Sequence, residues 1–201
     1  MIRLLLADDQ TLVRSALAAL LDLEEDFTVV AQVGRGDDVV AAALDARPDV
    51  ALLDIEMPGL DGLAAASALT RELPQCRIVI LTTFGRPGYL RRAMESGALG
   101  FVVKDTQAEQ LANAVRRVAS GERVVDPALA AATLAGGPSP LTGRERDVLA
   151  AARDGATVAD IAGKLFLSEG TVRNYLSAAI AKTGTRNRLE AIRAADERGW
   201  L

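Results

Sequence analysis

Val50-Ala-Leu-Leu-Asp54-Ile-Glu-Met-Pro-Gly59 is a short apolar run that stops on a carboxylate and is followed by a Met-Pro-Gly turn. Runs of this kind form strands buried on both faces of a parallel sheet, and α/β proteins place their chemistry at the C-terminal ends of such strands. The pattern puts Asp54 at a strand mouth, where a carboxylate can accept a phosphoryl group. A solvated loop Asp after a core strand is the plain alternative. The rest of the chain decides between them.

Outward from this stretch, apolar segments alternate between strand and helix periods. Strands are expected at residues 2–7, 27–32, 50–54, 77–82 and 100–104, with helices at 10–23, 37–47, 63–72 and 88–96. Thr106-Gln-Ala-Glu109 has the spacing of a capping box opening a fifth helix. Five strands alternating with five helices imply right-handed crossovers and a parallel sheet covered on both faces. In the first helix, Leu12, Ala16, Ala19, Leu20 and Leu23 are expected to form the core stripe. Leu17 and Leu21 widen the apolar arc beyond what one buried stripe needs and mark a candidate dimer surface, with packing inside the same unit as the competing reading.

Composition narrows the class. Of 201 residues, 50% are hydrophobic but only 3% aromatic, so Leu, Val, Ile and Ala must build the core. No window approaches the roughly 18 uninterrupted apolar residues of a membrane span, and carboxylates follow the first residues too early for a signal peptide. Cys76 is the only cysteine, which excludes an internal disulfide. The absence of His removes His-based triads and any internal phosphohistidine. There is no Gly-x-x-x-x-Gly-Lys-Ser/Thr loop either, so a phosphoryl group on Asp54 must come from another molecule. A cytoplasmic protein without membrane insertion is expected.

The alternation stops after residue 121. Residues 122–140 read as a linker ending in Gly136-Gly-Pro-Ser-Pro140, which cannot continue a helix. The Ala-rich residues 128–135 fit either a short helix or a tether. Residues 141–201 are helical in period, with a capping box at Thr142/Glu145 and four expected helices, a small bundle. Charge divides along the same line: residues 1–140 carry 13 Lys/Arg against 19 Asp/Glu, a net of −6, and residues 141–201 carry 10 against 8, a net of +2. An acidic unit joined to a mildly basic one suggests contact with nucleic acid.

Asp8 and Asp9 end the first strand, Asp54 the third, Thr82 the fourth and Lys104 the fifth, all at one edge of a parallel sheet. If the first and third strands are neighbours, three carboxylates converge and repel unless a cation sits among them. Mg²⁺, hard and oxygen-seeking, fits. A carboxylate nucleophile attacking phosphorus also benefits from an ammonium and a hydroxyl nearby, which Lys104 and Thr82 supply. Over residues 1–121 the chain resembles the receiver domains of two-component response regulators, through Asp8-Asp9, Leu53-Asp54-Ile-Glu-Met-Pro-Gly-Leu-Asp-Gly62, Leu81-Thr82-Thr83 and Gly100-Phe-Val-Val-Lys104. The resemblance implies strand order 2-1-3-4-5, with Asp54 as phosphoacceptor. It implies Mg²⁺ held by Asp9, Asp54 and the Glu56 backbone carbonyl, with Asp8 acting through water. Lys104 would pair with the phosphoryl group, Thr82 would follow it, and Phe101 would be the switch aromatic. Asp105 departs from the Pro that many receivers carry there. An aspartyl-nucleophile phosphatase is the rival, since Asp54-Ile-Glu56 spaces a nucleophile and an acid suitably. Such enzymes carry that pair after their first strand, where this chain has Asp-Asp.

In the second unit, Val172, Leu176, Ala179, Ile180 and Thr183 share the inner face of the long helix expected at 169–183. Its opposite face, Gly170, Asn174, Ser177, Ala178 and Ala181, is small and uncharged. Small side chains allow close approach to a groove, Asn174 can bind adenine, and Arg173 can reach guanine or phosphate. Lys164, Lys182, Arg186 and Arg188 are spaced for phosphates. A plain bundle docking another protein is the other reading of this wheel. Leu141-Thr-Gly-Arg-Glu145, Ile161-Ala162, Leu167-Ser-Glu-Gly-Thr-Val-Arg173 and Asn187-Arg-Leu-Glu-Ala191 resemble the LuxR-type helix-turn-helix. That likeness adds Ser168, Thr171 and Ser177 to the DNA-contact set. With a receiver in front, the chain is similar to the NarL/FixJ class, and most to the DesR-like group, which controls membrane-lipid genes. Tyr175 and Ser177 depart from the His and Lys common in the class.

The resemblance implies a transcription regulator rather than an enzyme. Its partners would be a sensor histidine kinase, promoter DNA, RNA polymerase and, on phosphorylation, a second copy of itself. A small-molecule-sensing LuxR-type regulator fits poorly, because the first unit offers a carboxylate-lined rather than an apolar pocket.

Overall fold

Val50–Asp54 form strand β3, and all five residues are buried. The computed structural model describes residues 1–83, 87–127, 129–131, 139–153 and 155–201. The chain divides into two compact units, Met1–Gly85 with Leu90–Ala130, and Arg86–Tyr89 with Ala131–Leu201.

Along the first 125 residues run β1 (Ile2–Ala7), α1 (Thr11–Leu21), β2 (Phe27–Val33), a 3₁₀ turn (Gly36–Asp38), α2 (Val39–Ala46), β3 and α3 (Gly62–Glu72). They continue with β4 (Arg77–Thr82), α4 (Pro87–Glu95), β5 (Gly100–Val103), α5 (Ala108–Ala119) and β6 (Val124–Val125). The sheet order is β2-β1-β3-β4-β5-β6, and every pairing is parallel. The expected 2-1-3-4-5 order is present, extended by a sixth strand of two residues inside the tract read as linker. Two valines between charged neighbours are too short a signal for any period to register.

Alternate residues along each strand face opposite sides of the sheet. Leu4, Leu6, Val50, Leu52, Val79 and Leu81 pack with Ala18 and Leu21 of α1 and with Leu111, Val115 and Val118 of α5. The intervening Leu5, Leu53, Ile78 and Ile80 are equally buried; α2 packs on β1 and β2, and α3 on β3 and β4. Fully buried Ala43, Ala65 and Ala66 let these helices lie close to the strands.

Two expectations for the helices need correction. In α1 the faces are exchanged: Leu21 is 2% exposed and Leu17 packs on the core, whereas Leu12, Leu20 and Leu23 are exposed at 84%, 46% and 79%. Both arcs of this helix are apolar, so its period cannot tell which one meets the sheet. Helix α5 begins at Ala108 with Gln107 as N-cap and no side-chain cap bond. Glu109 is therefore the second helical residue, one short of the capping-box position, and Thr106 stays in the preceding turn.

The second unit contains α6 (Gly143–Ala151), α7 (Val158–Leu165), α8 (Glu169–Thr183) and α9 (Arg188–Arg198) around Val148, Leu149, Ile161, Val172, Leu176, Ile192 and Trp200. Side chains of Thr142, Thr157, Ser168 and Asn187 each accept a backbone N–H at a helix start. Phe166 ends α7 in the left-handed region (φ 55°) and is 95% exposed. Residues 127 and 129–131 are helical; the rest of the Ala-rich stretch, residues 128 and 132–135, lies outside the described residues.

The Thr142/Glu145 box is present, and Glu145 does more than cap. Its carboxylate accepts the Thr142 N–H at 2.7 Å and two bonds from Lys182 Nζ at 2.9 and 2.8 Å. Burial alone would raise its pKa; Lys182 and Thr142 overrule that and hold it below the ordinary 4.5. A depressed acid contributes stability above its unfolded-state pKa and loses it as pH falls through the lower folded-state value. Glu145→Gln is therefore expected to cost about 1–2 kcal/mol at neutral pH. The gap from wild type should close as pH drops below 4.5. Urea unfolding read by Trp200, the single tryptophan, measures this; a gap constant with pH would show that the ion pair is not its source.

Candidate functional site

Ala7 pairs with Leu53, so Asp8 and Asp54 leave neighbouring strands at the same level. Asp54 pairs in turn with Leu81, and Thr82 with Val103. The Lys104 N–H donates to the Thr82 carbonyl at 2.8 Å, which fixes the start of the Lys104 side chain. The register of four strands thus delivers all five predicted residues to one edge.

Lys104 Nζ lies 2.7 Å from Asp8 Oδ2 and 3.0 Å from Asp54 Oδ2. Asp8 and Asp54 are 2% and 3% exposed and Thr82 is buried, while Asp9 faces solvent. One carboxylate oxygen from each of Asp8, Asp9 and Asp54 falls within 4.8 Å of the others. Asp8 Oδ1 accepts the Gln10 N–H at 2.9 Å. Asp8 Oδ2 and Asp54 Oδ2 are at ion-pair distance from Lys104 but have no aligned hydrogen-bond donor. Burial, with Asp8 adding to it, raises the Asp54 pKa against the pull of Lys104. Burial would lower the Lys104 pKa, yet the two carboxylates raise it. Three carboxylates against one ammonium leave a formal excess of two negative charges. Buried oxygens without aligned donors and a charge deficit of this size suit Mg²⁺.

Phe101 is buried in β5, 2% exposed. Glu56 is exposed on the loop between β3 and α3. Gly36 and Asp37, to which the sequence alone gave no role, hold this loop together with Gly59 and Gly62 of the motif. Gly36 N–H donates to the Pro58 carbonyl at 3.2 Å, and Leu60 N–H to Asp37 Oδ1 at 3.1 Å. A Cβ on Gly36 would lie 1.8 Å from the Leu60 carbonyl oxygen, and one on Gly59 (φ 80°) 1.7 Å from Asp37 Oδ1. A Cβ on Gly62 would lie 1.8 Å from the Asp54 carbonyl oxygen itself. The clue in the sequence was the spacing of glycines at the loop ends. From α1, the Arg14 guanidinium donates to the Asp8 carbonyl.

In the second unit Val172, Leu176, Ala179 and Thr183 are buried and Ile180 partly so. Gly170, Asn174, Ser177 and Ala181 are exposed, with Ala178 half-buried, so α8 presents the small-residue face expected of it. Ser168 is the N-cap and its hydroxyl lies 2.8 Å from that of Thr171. Four of the five predicted cations are engaged: Arg173 with Glu169 at 2.6 Å, Arg186 with Glu190 at 3.1 Å, Lys182 with Glu145, and Arg188 with the Ala156 carbonyl at 2.9 Å, while Lys164 is exposed. Among the described residues no helix is long and apolar enough to cross a membrane.

Residues 4–116 match the response regulator receiver domain family, and residues 139–195 match the luxR family of bacterial regulatory proteins. Over its whole length the chain is 45% identical to the entire transcriptional regulatory protein YvfU of Bacillus subtilis (strain 168). It is 44% identical, again over both full lengths, to the transcriptional regulatory protein DesR of the same organism. Among solved structures it is similar to the response regulator ChrA of a heme-sensing two-component system, at 33% identity and a TM-score of 0.58, covering 100% of this chain and 98% of that one. With the acidic pocket on one unit and the helix-turn-helix on the other, the chain belongs to the response regulators that join a receiver domain to a LuxR-type DNA-binding domain.

Proposed function

We propose that a sensor histidine kinase phosphorylates Asp54, that this favours a dimer, and that the dimer places two α8 helices on promoter DNA. The observation that carries the reading is the Asp8–Lys104–Asp54 cluster at the strand ends. Asp54 is the nucleophile and Lys104 neutralises oxygen of the incoming phosphoryl group. Thr82, at the end of β4, donates its hydroxyl to the same group, and Phe101 is the aromatic that responds. Asp9, Asp54 and the Glu56 carbonyl would hold Mg²⁺, with Asp8 supporting through water. Bound there, the ion would offset the carboxylate excess and the charge on the transferring oxygens. Residues 1–121 together with β6 serve as receiver, the remainder of 122–140 as linker and 141–201 as DNA-binding domain.

The outward arc of α1, with Leu12 and Leu20, is the surface proposed for the dimer. A change from mostly monomer to mostly dimer needs several kcal/mol from the modification. By sedimentation, phosphorylated wild type is expected to dimerise, while Leu12→Asp/Leu20→Asp takes up phosphate and stays monomeric. Equal dimerisation of both proteins would sink the α1 assignment.

On DNA, Ser168, Thr171 and Ser177 join Arg173 and Asn174 at the groove, with Arg186, Arg188 and Lys182 toward phosphates. A bundle of low net charge binds one half-site weakly, so two bundles on half-sites about one helical turn apart are needed. Against a duplex recovered by selection from a random pool, Arg173→Ala or Asn174→Ala should cost about 1–3 kcal/mol and relax base preference. Arg186→Ala should weaken all duplexes alike and flatten the salt dependence by about one unit of slope. Equal loss for Asn174→Ala on selected and scrambled duplexes would mean that it reads no base.

A further inference from the structure

Four of the cations read as DNA contacts, Arg173, Lys182, Arg186 and Arg188, already have a partner inside the chain, and these partners are of two kinds. Lys182 is held by Glu145, whose side chain is 7% exposed, and Arg188 by a main-chain carbonyl; both bonds belong to the packing of the bundle. Arg173 and Arg186 are paired with Glu169 and Glu190 one helical turn away, with all four side chains more than a third exposed. These two pairs can open without disturbing the core.

We infer that Glu169 is a specificity-determining residue that occupies Arg173 until a cognate site displaces it, whereas Glu190 holds Arg186 back from the phosphates of any sequence; this rests on the DNA-binding role proposed for α8. Binding to arbitrary DNA is driven by cations neutralising phosphates and releasing counterions. A guanidinium already neutralised by a carboxylate gains less from that exchange, and the carboxylate left beside a phosphate repels it. A cognate site offers Arg173 a bidentate base contact, which outweighs an exposed ion pair of i,i+4 type. The Arg173–Glu169 pair therefore penalises the wrong sequence more than the right one, whereas the Arg186–Glu190 pair weakens both alike. The near-balance of ten basic and eight acidic residues over 141–201 becomes part of the recognition device.

The test uses the phosphorylated full-length protein on two duplexes, one selected from a random pool and one of random sequence, over a range of salt concentrations. Glu169→Gln and Glu190→Gln keep shape and hydrogen-bonding capacity while removing the charge. Each is expected to bind the random duplex several-fold more tightly, with a salt slope steeper by about one. For Glu169→Gln the affinity for the selected duplex should rise less, so the ratio between the two falls several-fold; for Glu190→Gln both affinities should rise alike and the ratio hold. Glu197→Gln makes the same charge change in the Arg193–Glu197 pair of α9, whose cation is not among the proposed contacts, and should leave the ratio unchanged. The inference is overturned if the ratio is unchanged in Glu169→Gln, or if Glu190→Gln or Glu197→Gln lowers it as much. Failure of the wild type to bind either duplex would instead remove the DNA-binding role of α8 itself.

Discussion

Asp54→Ala is expected to take up no phosphoryl label from acetyl phosphate under conditions where the wild type is labelled and Mg²⁺ is present. Asp54 is the one carboxylate of the pocket that is both buried and placed at the end of the central strand β3. Asp8 is as deeply buried, but its Oδ1 already accepts the Gln10 N–H. Lys104→Ala should still label but switch poorly. It should also lose stability, by about 3 kcal/mol in the absence of Mg²⁺, since it strands two buried carboxylates without their counter-charge. Added Mg²⁺ should restore much of that loss. Labelling of Asp54→Ala at the wild-type level would remove Asp54 from its role; a Lys104→Ala variant indifferent to Mg²⁺ would separate the ion from these carboxylates.

Gly62→Ala should have an effect of similar size through the backbone. The added methyl would overlap the Asp54 carbonyl oxygen at 1.8 Å and its carbon at 2.7 Å. Neither atom can yield, because Asp54 is the last residue of a fully buried strand and the Gly62 N–H is bonded to the Ile55 carbonyl at 2.9 Å. Overpacking against fixed main chain costs about 3 kcal/mol. Urea unfolding followed by far-ultraviolet circular dichroism, with acetyl-phosphate labelling beside it, would register both the lost stability and the displaced nucleophile. Wild-type stability and labelling in Gly62→Ala would mean that the loop and Asp54 move apart freely.

The strand ends were legible because an apolar run that stops on a charged residue has one reading in a parallel sheet. Asp8, Asp54, Thr82 and Lys104 each close such a run, and strand order alone had to be supplied by resemblance. The face of α1 was not legible, since Leu12/Leu20 and Leu17/Leu21 mark two arcs of equal hydrophobicity and only the sheet chooses between them. The grip of Gly36 and Asp37 on the loop after Asp54 joins residues distant in sequence, and no local period reports such a contact. For the same reason Lys182 read as a free cation: its partner Glu145 lies on another helix and looks, in sequence, like a cap alone.

The parallel sheet also sets a kinetic order. Leu4 cannot meet Val50 until a strand, two helical segments and their loops have been gathered between them, and closing such long loops is slow. The second unit, with short helices capped by their own first turns, is built from near neighbours and belongs to the fast class. In a chain refolding from denaturant the helical unit therefore forms before the sheet. On the ribosome, where domains generally fold N-terminal first as they emerge, the order is reversed. Vectorial synthesis gives the slower unit a head start, so the part that carries Asp54 can be complete before the part with α8 has left the exit tunnel.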